Sequence, residues 1–103
     1  MRALLALLLM TGASQAQTVM DGSNKNISPE MMSYIFESFS NEVVDPYSLQ
    51  FRRLRTFTPV GADYEGICGE VNAKNSFGSY LGFRVFQYLP KYNSITLNSV
   101  VGC

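Results

Sequence analysis

Apolar positions along residues 28–40 recur with the spacing of one helical face. Met32, Ile35, Phe36 and Phe39 fall at i, i+3, i+4 and i+7, while Met31, Ser33, Glu37 and Ser38 take the other faces. The preceding Ser28-Pro29-Glu30 is a helix start: Ser28 can cap, Pro29 suits the first helical position, and Glu30 complements the positive end of the dipole. The Met and Phe stripe is read as facing the core, with a partner groove as the alternative. Asp45-Pro46 repeats the cap-and-proline start and predicts a turn or short helix over Asp45 to Phe51. The stretch Arg52 to Thr58 then reads as a strand running into a loop.

Residues 66–89 carry the second pattern. Beta-branched and aromatic residues flank Asn75-Ser76-Phe77-Gly78-Ser79, a turn composition, and predict an antiparallel hairpin. With those five residues as the loop, Lys74 faces Tyr80, Asn72 faces Gly82, Glu70 faces Arg84 and Cys68 faces Phe86. One face is then Val71, Ala73, Leu81, Phe83 and Val85, a core face. The other is Glu70, Asn72, Lys74, Tyr80 and Arg84, with Glu70 and Arg84 opposed as an ion pair. Gly69 and Gly82 weaken strands by propensity and point to a bulge or a close backbone contact. Tyr92 to Val101 supplies a last strand. The expected fold is α+β in two layers: one N-terminal helix packed on a three- to four-stranded antiparallel sheet, with one disulfide.

Ahead of the helix, residues 1–16 read as a secretory signal peptide. Arg2 gives the positive region, Ala3 to Met10 the apolar run, and Ser14 and Ala16 the small residues before a cleavage point. The run is too short for a bilayer span. The expected organisation is a signal peptide over 1–16, a polar flexible lead-in over 17–27 and a single domain over 28–103. The product is expected to be exported, periplasmic or secreted, with no stable membrane insertion after cleavage. Export would carry Cys68 and Cys103 into an oxidising compartment, where an intramolecular bridge contributes about 4 kcal/mol for a loop of this length. Pairing between molecules through Cys103 is the alternative, and no CxxC supports a redox role.

Charge and composition narrow the chemistry further. Eight Lys and Arg balance eight Asp and Glu, which gives no electrostatic reason to expect nucleic acid as a partner. The chain has no His and only two Cys, so a His-based triad, a Cys-His dyad and the usual zinc sites are excluded. No cofactor and no metal are expected. Arg52, Arg53 and Arg55 invite an anion-site reading, but no Gly-rich loop accompanies them, and an edge of ion pairs is preferred.

The stretches DPYSLQFR (Asp45 to Arg52) and ICGEVNAKNSFGSYLGF (Ile67 to Phe83) resemble a pattern of small exported bacterial and phage-associated proteins, DPxSxxFR followed by CGxVNxKNxFGxYxGF. This chain departs from it at Ser79, where a second Gly is expected after Gly78. The resemblance implies a common fold and export, and no activity. Three functional readings follow. The first is a non-enzymatic module binding an envelope or extracellular protein, an inhibitor being one concrete version, through Glu70, Asn72, Lys74, Asn75, Phe77, Tyr80 and Arg84. The second is a structural or accessory subunit of an envelope or phage-related assembly, joined along a sheet edge. The third, an enzyme or anion-binding protein using Glu70, is disfavoured: a carboxylate flanked by Lys74 and Arg84 would be a poor general acid.

Overall fold

In the computed structural model, which describes residues 18–98 and Cys103, Ser28 opens the helix as its sequence requires. Its Oγ accepts the backbone N–H of Met31 at 3.1 Å, Pro29 stands in the first turn, and α1 runs Pro29–Ser40. Met32, Ile35 and Phe39 are buried and Phe36 packs beside them. The signal segment expected over 1–16 lies outside the described residues. Among the described residues no helix is long and apolar enough to cross a membrane.

The fold is α+β, with five strands in one sheet: β1 (Thr18–Val19), β2 (Gln50–Phe57), β3 (Gly66–Asn72), β4 (Arg84–Leu89) and β5 (Ser94–Leu97). They lie in chain order across the sheet. Strands β2 to β5 pair antiparallel, but β1 pairs parallel to β2, so the sheet is mixed. This corrects the expected three to four antiparallel strands. The physical reason is the crossover: α1 lies between β1 and β2, and a helical connection returns the chain to the same end of the sheet. The lead-in expected over 17–27 thus contributes a strand, a 3-10 turn at Ser23–Asn26 and the buried Ile27.

That segment also closes a defect in β2. The register shifts between Arg52 and Arg55, and Arg53 takes a positive φ of 56°. A bulge of this kind leaves backbone donors outside the ladder. Asp21 Oδ2 accepts the Arg53 N–H at 2.9 Å, and Ser23 Oγ accepts the Leu54 N–H at 2.9 Å. The Arg53 N–H, helped by Ser23, holds the Asp21 carboxyl below its ordinary value of 3.8.

The hairpin departs from the expected register by one residue. Lys74 and Tyr80 do bridge. Below them, however, Val71 faces Arg84, Glu70 faces Val85, Gly69 faces Phe86 and Cys68 faces Gln87. Asn72 and Ala73 on one side are matched by Leu81, Gly82 and Phe83 on the other, so one extra residue is inserted. Gly82, at a φ of 111°, absorbs it. A slip of one inverts every side chain beyond it. Phe86 and Tyr88 therefore turn inward and are buried, whereas Leu81 is 75% exposed. Val71 and Ala73 keep their expected places against the core.

Four phenylalanines hold the two layers together. Phe39 meets Phe51 and Phe86 edge-on, with ring centroids 5.4 and 4.9 Å away, and Phe36 leans on Phe51 at 5.3 Å. Gly69 lies beneath them: a Cβ there would stand 2.8 Å from Leu54 Cδ2 and 2.9 Å from Phe86 Cε1. On the opposite face Cys68 is bonded to Cys103, 35 residues away, with Cα atoms 6.0 Å apart, as the two-cysteine reading anticipates.

Two outcomes are expected. Gly69→Ala should lower unfolding stability by about 1–3 kcal/mol through overpacking, read by denaturant titration. Second, Asp21 is bound more tightly as a carboxylate when folded, so its contribution is present above its ordinary pKa and fades as pH falls through the lowered folded value. Hydrogen-exchange protection of the Arg53 amide should hold at neutral pH, drop in acid, and be weak at all pH in Asp21→Asn.

Candidate functional site

Buried Ser48 organises the end of the sheet where β2 begins and β3 ends. It closes a 3-10 turn, Pro46–Ser48, started by Asp45, whose Oδ1 accepts the Tyr47 N–H at 3.1 Å. The Ser48 hydroxyl donates to Asp45 O at 2.7 Å and accepts the Lys74 N–H at 2.8 Å, and Ser48 O accepts the Tyr80 hydroxyl at 2.8 Å. The turn before β2 and the loop after β3 are thereby latched together.

The loop itself is held from inside. Asn75 Oδ1 accepts the N–H groups of Phe77 and Ser79, at 2.9 and 3.1 Å. The Asn75 N–H donates to Ser79 O, and the Gly78 N–H donates to Asn75 O. Gly78 supplies the left-handed position, with a φ of 80°. Asn72 Oδ1 accepts the Gly82 N–H at 3.2 Å, which fixes the inserted residue. Lys74 Nζ lies 5.6 Å from the centre of the Tyr80 ring.

The expected polar face is therefore not one surface. Asn72 is buried, its amide donating to Gln50 Oε1 at 3.4 Å. Glu70 does not meet Arg84. It pairs with Arg52 Nε at 2.6 Å and Arg53 Nη1 at 3.6 Å, and its side chain is only 15% exposed. The slip causes this: it places Val85 opposite Glu70 and leaves β2 to supply the cations. The Arg52 guanidinium stacks 3.8 Å from the centre of the Phe83 ring, and Arg55 donates to Arg53 O at 2.7 Å. Arg52 and Arg53 thus serve ion pairs and Arg55 a backbone contact, on a strand that lies inside the sheet and not at the edge expected for them.

Aromatic and apolar side chains stand outward at this end beside exposed polar ones such as Ser76, Ser79 and Arg84. Phe77 is 89% exposed at the loop tip, with Tyr47, Val44 and Leu81 exposed and Tyr80 partly so. Within the stretches Asp45 to Arg52 and Ile67 to Phe83, the residues Asp45, Ser48, Arg52, Gly69, Asn72, Asn75, Gly78, Tyr80 and Phe83 each have a structural contact or a backbone requirement. Phe77 has a backbone bond and a side chain in solvent. Tyr47 and Val44 escape a reading of sequence alone, since neither belongs to a periodic run. Only the turn chemistry of Asp45-Pro46 hints that they are displayed.

Beside this end, past the close of α1, lies a cleft of about 450 Å3. Glu42 and Val43, in the turn that follows α1, form one wall, and Leu81, Arg84, Ile95 and Leu97 lie on the sheet side. No group of His, Cys, Asp and Glu among the described residues is placed to hold a metal ion.

No family model matches the chain, and neither a curated protein nor a solved structure gives a significant match.

The latch predicts an ordering of defects. Ser48→Ala removes both hydroxyl bonds, to Asp45 O and from the part-buried Lys74 N–H, and should cost about 1–3 kcal/mol. Tyr80→Phe removes a single part-buried bond and should cost no more than about 1 kcal/mol. Chemical denaturation of the two variants beside the parent checks the order.

Proposed function

We propose that this is an exported, non-enzymatic protein-binding module of the cell envelope, whose contact surface is the Phe77 loop tip with Tyr47 and Tyr80 beside it. Export is supported by the pattern of residues 1–16 and by the Cys68–Cys103 bridge, a bond favoured in oxidising compartments.

The observation that carries the binding reading is the exposure of Phe77 on a loop held by its own hydrogen bonds. Leaving a Phe side chain in water forgoes about 1.5–3 kcal/mol of burial. The loop around it satisfies its turn through Asn75 and Gly78, and its base through Ser48 and Tyr80, so Phe77 adds no packing to the fold. A loop backbone held in this way has little conformational entropy left to lose on docking, as suits the carrier of an interface anchor. The tip and its two flanking tyrosines form a small surface suited to a partner pocket.

A photo-crosslinking benzoylphenylalanine at position 77 tests this in cells expressing the full chain. The expected result is a discrete adduct with one envelope protein, absent when the same group is placed at Val60. Val60 is 91% exposed in the loop after β2, at the far end of the sheet. No adduct from position 77, or the same adducts from both positions, would reject the reading. Phe77→Ser should leave unfolding stability within about 0.5 kcal/mol of the parent, as for an ordinary surface change.

A further inference from the structure

The cleft between the end of α1 and β5 has features that the Phe77 surface does not use. Strand β5 is the last in the sheet. Asn98 N–H donates to Val85 O, so by the alternation of an antiparallel ladder Thr96 and Ser94 also turn their backbone groups toward β4. Ile95 and Leu97 then turn theirs outward, where an added strand would pair. Their side chains lie on the cleft side, above a floor continued by Leu81 and Val43.

The walls of the cleft are charged and of opposite sign. Glu42 stands in the turn after α1 and Arg84 on the sheet side, both exposed. They are not paired with each other: the ion pairs among the described residues are those of Glu70 with Arg52 and Arg53. Arg84 is there because of the inserted residue at Gly82, which turns it, together with Phe86 and Tyr88, to the helix side of the sheet opposite Val71. A small anion would use Arg84 alone. An extended chain would use the outward backbone of Ile95 and Leu97, the apolar floor and Arg84 together.

We infer that β5 and this cleft form a docking site for an extended peptide segment, added as a sixth strand, with apolar side chains on the floor and an acidic side chain directed to Arg84. Main-chain pairing supplies the general affinity and the cleft supplies the selection. Glu42 opposes a second acid, so the site discriminates by charge and does not simply collect apolar chains. The site is independent of the Phe77 tip, although Leu81 borders both.

The probe is a blocked nine-residue peptide of alternating Val and Thr with Glu at the centre, on the same side as the valines. Counterparts carry Gln or Lys at that position. Titrated into the full folded domain, nitrogen-15 labelled and oxidised, the Glu peptide should shift the amides of Ser94 to Leu97 and the Arg84 side chain. It should bind about fivefold or more tightly than the Lys peptide, the size expected of one partly exposed charge contact. Arg84→Gln should abolish that preference and Glu42→Gln should enlarge it, while Phe77→Ser leaves it unchanged. Absence of binding, shifts confined to residues 75–80, equal affinity for the three peptides, or a preference that survives Arg84→Gln would overturn the inference. Loss of the peptide on Phe77→Ser would overturn its independence from the tip.

Discussion

One left-handed residue decides the arrangement of this domain. Gly82, at a φ of 111°, takes up the extra position between the Lys74–Tyr80 bridge and the β3–β4 ladder. Because successive side chains in a strand alternate, that single insertion assigns all of β4. It turns Phe86 and Tyr88 to the helix and leaves Phe83 on the other face beneath Arg52. It also carries Arg84 away from Glu70 and into the cleft. An L side chain at such a φ is strained, and glycine adopts it at little cost.

The core follows from that assignment. Phe86 can meet Phe39 and Phe51 only if it points inward, and Gly69 opposite it must lack a Cβ for the rings to settle. The helix is fastened again at the β4–β5 turn, where Asn93 Oδ1 accepts from Ser38 at 2.9 Å and from Tyr88 at 2.8 Å. At the other end Ser48 ties the segment before β2 to the loop after β3. Rigid contacts at both ends leave the tip around Phe77 displayed, which is the physical basis for reading it as a binding surface. The cleft lies past the end of α1 at Ser40, between the turn that follows and the sheet.

Much of the fold is legible in the residues. Ser28-Pro29-Glu30 and the Met32 to Phe39 spacing define the helix, Asp45-Pro46 the short turn, and Cys68 with Cys103 the bridge. The hairpin loop and its Lys74–Tyr80 closure are equally readable. The register below them is not, because β4 alternates in two acceptable ways. Arg84, Phe86 and Tyr88 make one face, and Val85, Gln87 and Leu89 the other, and both mix apolar with polar groups. Gly82 carries the only local sign of the bulge. The site suffers from the same ambiguity: Glu70 and Arg84 look like partners until the slip separates them. Strand β1 is two residues long and too short to show a period, and its place depends on Asp21 and Ser23 meeting the bulge in β2.

The register of β3 against β4 is the point to measure. Interstrand backbone nuclear Overhauser effects on the oxidised protein report it directly. The account predicts contacts that set Gly69 opposite Phe86 and Val71 opposite Arg84, together with Lys74 opposite Tyr80. Contacts setting Gly69 opposite Val85 and Glu70 opposite Arg84 would mean an unbroken hairpin, and would contradict both the packing of β4 and the charged cleft.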